Sequence, residues 1–146
     1  MKKLLFSTQN AWIGLMLRVS LGVIMFPHGA QKLFGMFGGS GYRNTMDYFI
    51  HTMKLPWIVA FLVVIIEFFG SIALIAGFAG RVWAMCFLIL MIGAIYTTNF
   101  QFGFFMNWFG NQAGEGYEYH LLVIGICLAM LISGSGKLSV DLFMYR

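Results

Sequence analysis

The chain has 146 residues, enough for one domain, yet 60% of them are hydrophobic and only 10% charged, against about 45–50% and about 25% in soluble domains. Such a chain lacks the polar side chains to cover a water-facing surface, so the composition excludes a soluble globular domain and makes the lipid bilayer the expected partner. The net charge of +4 is spread thinly, with no basic run, which excludes nucleic acid as a partner.

Met1-Lys2-Lys3 ahead of an apolar stretch imitates a secretory leader. No small-x-small cleavage site follows it, so the stretch reads as a retained first span. A transmembrane helix needs about 20 mostly apolar residues, and four segments qualify, over about 11–28, 57–78, 82–100 and 117–135. Backbone polar groups must be satisfied within each span, which leaves helices as the form for segments of this length. The expected fold is therefore all-α, an integral membrane four-helix bundle forming one domain over residues 1–146. Pro56 suits the first turn of the second span. Ala79-Gly80-Arg81 is so short a link that the second and third spans must be antiparallel neighbours. The segment from Leu33 to Leu55 is long and starts glycine-rich, with room for a short amphipathic helix through Asn44 to Met53. Gln101 to Gly116 is rich in aromatics, which prefer the membrane interface.

Lys2, Lys3, Arg81, Lys137 and Arg146 flank one side, and Lys32, Arg43 and Lys54 the other. The richer side is normally cytoplasmic, so both termini are expected in the cytoplasm of a multi-pass protein in a bacterial-type inner (plasma) membrane. Cys86 and Cys127 each lie in an apolar run and form no CxxC, which argues against a thiol–disulfide enzyme.

Two groups of polar residues stand out by depth. Arg18 lies ten residues before His28 and Glu67 ten after Trp57, so each is about 15 Å in from the same side. A direct Arg18–Glu67 pair is expected near the midplane, either as a structural ion pair or as a proton or substrate site. The second group gathers at the outer helix ends: His28, Gln31, Lys32, Asn99, Glu118 and His120. It is expected to line one pocket suited to an anion or a quinone carbonyl; the bland alternative is a set of interfacial caps. Histidine titrates near neutral pH and can move protons. His28 and His120 as axial haem ligands have no spacing to demand them, His51 reads as a solvated loop residue, and no metal-ligand spacing is present.

Several segments carry a family resemblance: Arg18 in the first span; His28-Gly29-Ala30-Gln31-Lys32-Leu33-Phe34-Gly35; Phe37-Gly38-Gly39-Ser40-Gly41; Glu67-Phe68-Phe69-Gly70; Gly80-Arg81; and Gly116-Tyr117-Glu118-Tyr119. In this order, over nearly the whole chain, they are similar to the DoxX family of small four-helix membrane proteins. Ser71 departs from the pattern, where members often carry a second glycine after the glutamate. The resemblance implies a redox setting, since some relatives are subunits of a thiosulfate–quinone oxidoreductase and others associate with oxidative-stress enzymes. More distant relatives act as cargo receptors or assembly factors. Two functions are therefore carried forward. One is a subunit of, or partner to, a membrane redox system near the quinone pool, with other redox-complex subunits as partners. The other is a non-catalytic scaffold, assembly factor or carrier. The glycines from Gly35 to Gly41 follow no strand of a βαβ unit, so no flavin or nicotinamide fingerprint is present. Quinone is the one cofactor-like molecule implied, and self-association is left open.

Overall fold

The computed structural model describes Thr8 and residues 10–145, and all of its regular structure is helical. Four long helices form the bundle: α1 Trp12–Phe34, α3 Trp57–Ala76, α4 Gly80–Phe102 and α5 Glu118–Ser133. Two short helices, α2 Gly41–Asp47 and α6 Val140–Tyr145, close its two ends. The start of α1, the α3–α4 turn and α6 share what is here called the terminal side; α2 and the segment between α4 and α5 share the loop side. α1 lies along α3 and α4 along α5, while α1–α5 and α3–α4 contacts complete the bundle. Three helices, α1, α3 and α4, are long and apolar enough to cross a membrane. The 16 residues of α5 span about 24 Å, two residues short of the expected 117–135 run at its far end because Gly134 turns the chain with φ 74°.

The side chains sort by solvent as a membrane protein requires. Leu21, Met25, Leu74, Phe87, Met91, Val123, Cys127 and Met130 fill the space between the helices. Ile13, Met16, Val23, Ile89, Leu122 and Ile132 point outward, and all are exposed. Such an outer surface suits the acyl chains of a bilayer.

α1 runs six residues past the expected end at His28, straight through Pro27. Proline deletes one backbone hydrogen bond, a loss that helices within lipid tolerate because neighbouring helices compensate. The helix stops at Gly35, whose left-handed φ of 73° lets its N–H reach back to Gln31. This extension carries Lys32 one turn beyond His28 on the same face.

Glycines set how closely α1 and α3 approach. A Cβ on Gly29 would sit 2.5 Å from the Phe68 backbone nitrogen, and one on Gly22 2.8 Å from the Ser71 carbonyl oxygen. Small residues of this kind let helices pack backbone to backbone in lipid. Gly29→Ala is expected to force the helices apart and to lower stability by about 1–3 kcal/mol, as overpacking does. Thermal unfolding of the variant in detergent checks this; an unchanged midpoint would mean that the helices have slack here.

The expected Arg18–Glu67 pair does not form. Arg18 is buried and gives its guanidinium to backbone carbonyls alone: Ser135 at 2.9 Å, Leu74 at 3.1 Å, Lys137 at 3.1 Å, Leu138 at 2.7 Å, and Ile75. Those oxygens belong to the end of α3 and to the segment after α5, where helical carbonyls lack internal partners. Direction explains the correction. Every Cα–Cβ bond tilts toward the N-terminus of its own helix, so in antiparallel α1 and α3 Arg18 leans to the terminal side and Glu67 to the loop side. The two side chains start at similar depth and lean apart. Arg18 also lies only about 9 Å from Trp12 at about 1.5 Å per residue, so it is nearer the terminal end than a count from the loop end alone suggests.

Beside Arg18, Asp141 closes the same polar lock. Its carboxylate accepts from the Ala79 N–H at 2.7 Å, the Gly80 N–H at 2.9 Å and the Ser135 hydroxyl at 2.5 Å. The first amides of α4 are thereby satisfied by an anion, as helix N-termini favour. Ala79 is held in a left-handed conformation, φ 51°, uncommon for a residue with a Cβ.

Candidate functional site

A charge pair lies within the bundle on the loop side. Lys32 is in the last turn of α1, and Glu67 stands in a five-residue π-type turn, Ile66–Gly70, inside α3. Such widened turns recur at functional sites. The tilt that parts Arg18 from Glu67 brings these two together, because Lys32 leans inward along α1 and Glu67 leans outward along α3. The Lys32 Nζ lies 2.6 Å from the Glu67 Oε2. Glu67 is only 5% exposed, whereas a quarter of the Lys32 side chain, 25%, remains accessible. The glutamate is thus an anion within the bundle, and the lysine is its link to the loop-side surface.

A run of three rings, His28, Tyr119 and His120, leads from the Lys32 turn of α1 to the start of α5. His28 lies one turn before Lys32 on the same face of α1. Tyr119, near the start of α5, has its ring centroid 6.5 Å from that of His28. Its hydroxyl donates to the Met25 sulfur at 3.4 Å. The His120 ring follows, 5.7 Å from Tyr119. The buried Nδ1 of His120 has no hydrogen-bond partner among the described residues. Buried polar atoms without partners are rare in folded proteins and mark places where another molecule completes the bonding.

The six residues expected to share one pocket divide into three groups. Lys32 pairs with Glu67, His28 lies one turn from Lys32, and His120 is linked to His28 through the Tyr119 ring. Gln31 turns away and donates to the Phe37 carbonyl at 3.2 Å. With Lys32, Gly39, Ser40, Asn44, Thr45, Tyr48 and Phe49 it lines a shallow groove of about 290 Å³ between α1 and α2. Asn99 and Glu118 belong to neither place. Asn99 donates to the Glu115 carbonyl at 2.9 Å, and the Glu118 carboxylate accepts from the Met106 N–H at 3.3 Å. Both fold the Gly103–Gly116 segment down onto the bundle, so the single pocket containing all six is corrected to a smaller centre plus a groove. Helical geometry carries the reason. Successive side chains are about 100° apart around a helix, so Glu118 and His120 face nearly opposite ways and only one can look into the bundle. Tyr119, about 100° from each of them, packs partly buried against the core and stands outside the six expected site residues. Glu67 was recognised but assigned the wrong cation.

Chemically, the centre joins a cation and an anion in a poor dielectric to two imidazoles and a phenol. In such a setting a proton transfer within the pair neutralises both groups at no change in net charge, whereas a proton gained from or lost to a neighbouring group changes the local charge by a full unit. Among the described residues, no three His, Cys, Asp or Glu side chains come together as metal ligands.

Comparison with known proteins agrees with this architecture. The DoxX family model matches residues 13–100, the stretch that contains Arg18, His28, Lys32 and Glu67. The chain is 33% identical over 132 residues to the Bacillus subtilis (strain 168) protein named "Putative oxidoreductase CatD", with 90% of this chain and 87% of that protein covered. No solved structure matches the chain. With most of its length matched and its helices suited to a bilayer, the chain belongs to the DoxX family of membrane proteins.

Proposed function

We propose that this protein serves a membrane redox system as a quinone-facing subunit or partner, and that it handles protons at the Lys32–Glu67 centre. The observation that carries the reading is the Lys32–Glu67 ion pair, with His28 one turn away and the Tyr119 and His120 rings beyond it. Charges held within a membrane bundle are costly and tend to mark proton or substrate pathways. The family and the oxidoreductase name of the Bacillus subtilis relative support a redox setting. In this reading electrons reach the quinone from a partner protein, and the residues of this chain supply the protons that reduction requires. Lys32 or an imidazole donates to the carbonyl oxygen, and Glu67 holds the counter-charge and relays the proton. The proposal places the protein in the inner membrane with its more basic, terminal side in the cytoplasm, by the positive-inside bias.

The competing scaffold reading draws on Asn99 and Glu118, which hold a loop in a fixed shape with Trp108 and Phe109 displayed outward. Isolation from native membranes, followed by extraction and identification of retained quinone, separates the two. The redox reading expects quinone bound to the wild-type protein and lost from His28→Ala, with both proteins equally monodisperse. Absence of quinone together with a tightly held soluble protein would favour the scaffold.

A further inference from the structure

The proton-handling centre uses only the loop side, and a second concavity lies on the terminal side. There the segment after α5 folds back because Asp141 is bound to the start of α4 and its N–H donates to the Gly77 carbonyl at 3.0 Å. With Asp141 turned inward, the outer surface of this segment displays apolar groups: Leu138 is 76%, Phe143 83% and Met144 59% exposed. Between this segment and the start of α1 runs a groove of about 410 Å³, whose lining includes Trp12, Lys137, Leu142 and Phe143. The Lys137 ammonium sits 4.6 Å from the centre of the Trp12 ring.

Position and chemistry together identify an occupant. Trp12 is the first residue of a membrane-crossing helix and is 55% exposed, so the groove opens at the level of the lipid head groups, where tryptophan prefers to lie. A cation at the rim next to an apolar wall matches a molecule that is anionic at one end and hydrocarbon at the other. Leu138, Phe143 and Met144 continue that wall toward the bilayer. We propose that this groove binds one anionic phospholipid of the adjoining leaflet, its phosphate on Lys137 and an acyl chain along Leu142 and Phe143.

The test uses the full chain in detergent, with phosphatidylglycerol, phosphatidylcholine and inorganic phosphate as probes, and native mass spectrometry as the readout. Wild type should retain phosphatidylglycerol in preference to phosphatidylcholine and should show no phosphate adduct. Lys137→Gln should weaken phosphatidylglycerol about fivefold, the contribution of one lysine beside an anionic surface, and leave phosphatidylcholine unchanged. Lys137→Arg should keep the preference, which guards against a folding artefact. Phe143→Ser should weaken both lipids. The proposal is overturned if Lys137→Gln binds phosphatidylglycerol as wild type does, if the two lipids bind wild type alike, or if phosphate alone binds as tightly as the lipid.

Discussion

Arg18→Leu is expected to be the most damaging single change in the protein, lowering stability in detergent by about 3–5 kcal/mol, as removal of one partner from a buried charged network does. The guanidinium binds five carbonyl oxygens, from Leu74, Ile75, Ser135, Lys137 and Leu138. Leucine offers none of them a donor, and a buried acceptor left without one costs about 1–3 kcal/mol. Arg18→Lys should recover only part of the loss, since an ammonium has three donors and lacks the planar fork that reaches two segments at once. Unfolding by heat or by sodium dodecyl sulfate, followed by circular dichroism, gives the measurement. Because Arg18 and Glu67 hold different partners, a double-mutant cycle between them should give a coupling below about 0.5 kcal/mol. A wild-type unfolding midpoint for Arg18→Leu would show that the carbonyl cage does not hold the terminal side together.

The second large effect concerns Lys32 and Glu67, and it should be asymmetric. Lys32→Met leaves a carboxylate stranded in a bundle where Glu67 is 5% exposed, which by the same reasoning costs about 3–5 kcal/mol. Glu67→Gln should cost less, because the lysine is partly accessible and can extend its ammonium toward water at the loop-side surface. Combining Lys32→Met with Glu67→Gln should restore much of what Lys32→Met removes, since neither charge then needs a partner. The coupling across the cycle should fall within about 0.5–3 kcal/mol, the range for residues in contact. Additive losses would mean that the 2.6 Å contact contributes nothing to stability.

These two residues also show what a linear reading can reach. The four apolar runs locate the long helices because lipid demands continuous apolar sequence, and Gly80-Arg81 correctly announces a tight α3–α4 turn. Depth along a helix was legible for Arg18 and Glu67 too. Their partners were not, because depth fixes level alone while the tilt of each Cβ decides which way a long side chain leans. Lys32 falls beyond the expected end of the first span at His28, where a pocket residue and an interfacial cap look alike; with α1 continuing to Phe34, the same lysine lies on a bundle-facing turn. Glu118 and His120 were grouped by level, although their spacing puts them on opposite faces. Asp141 went unnoticed for a different reason. Its role arises from a segment folding back onto Gly77–Gly80, more than 60 residues away in sequence, and no local pattern records such a contact.

If the Lys32–Glu67 centre is the place where function occurs, the charge-removed double variant, Lys32→Met with Glu67→Gln, should lose it. In that protein neither side chain is stranded, so the bundle should unfold near the wild-type temperature while the centre can no longer move a proton. Binding of a short-chain quinone analogue, titrated against both proteins in the same detergent by tryptophan fluorescence, is the measurement. Binding to wild type should be saturable, and binding to the double variant weakened at least about tenfold, about 1.4 kcal/mol. Equal binding by two equally stable proteins would contradict this and reduce the pair to a structural link between α1 and α3.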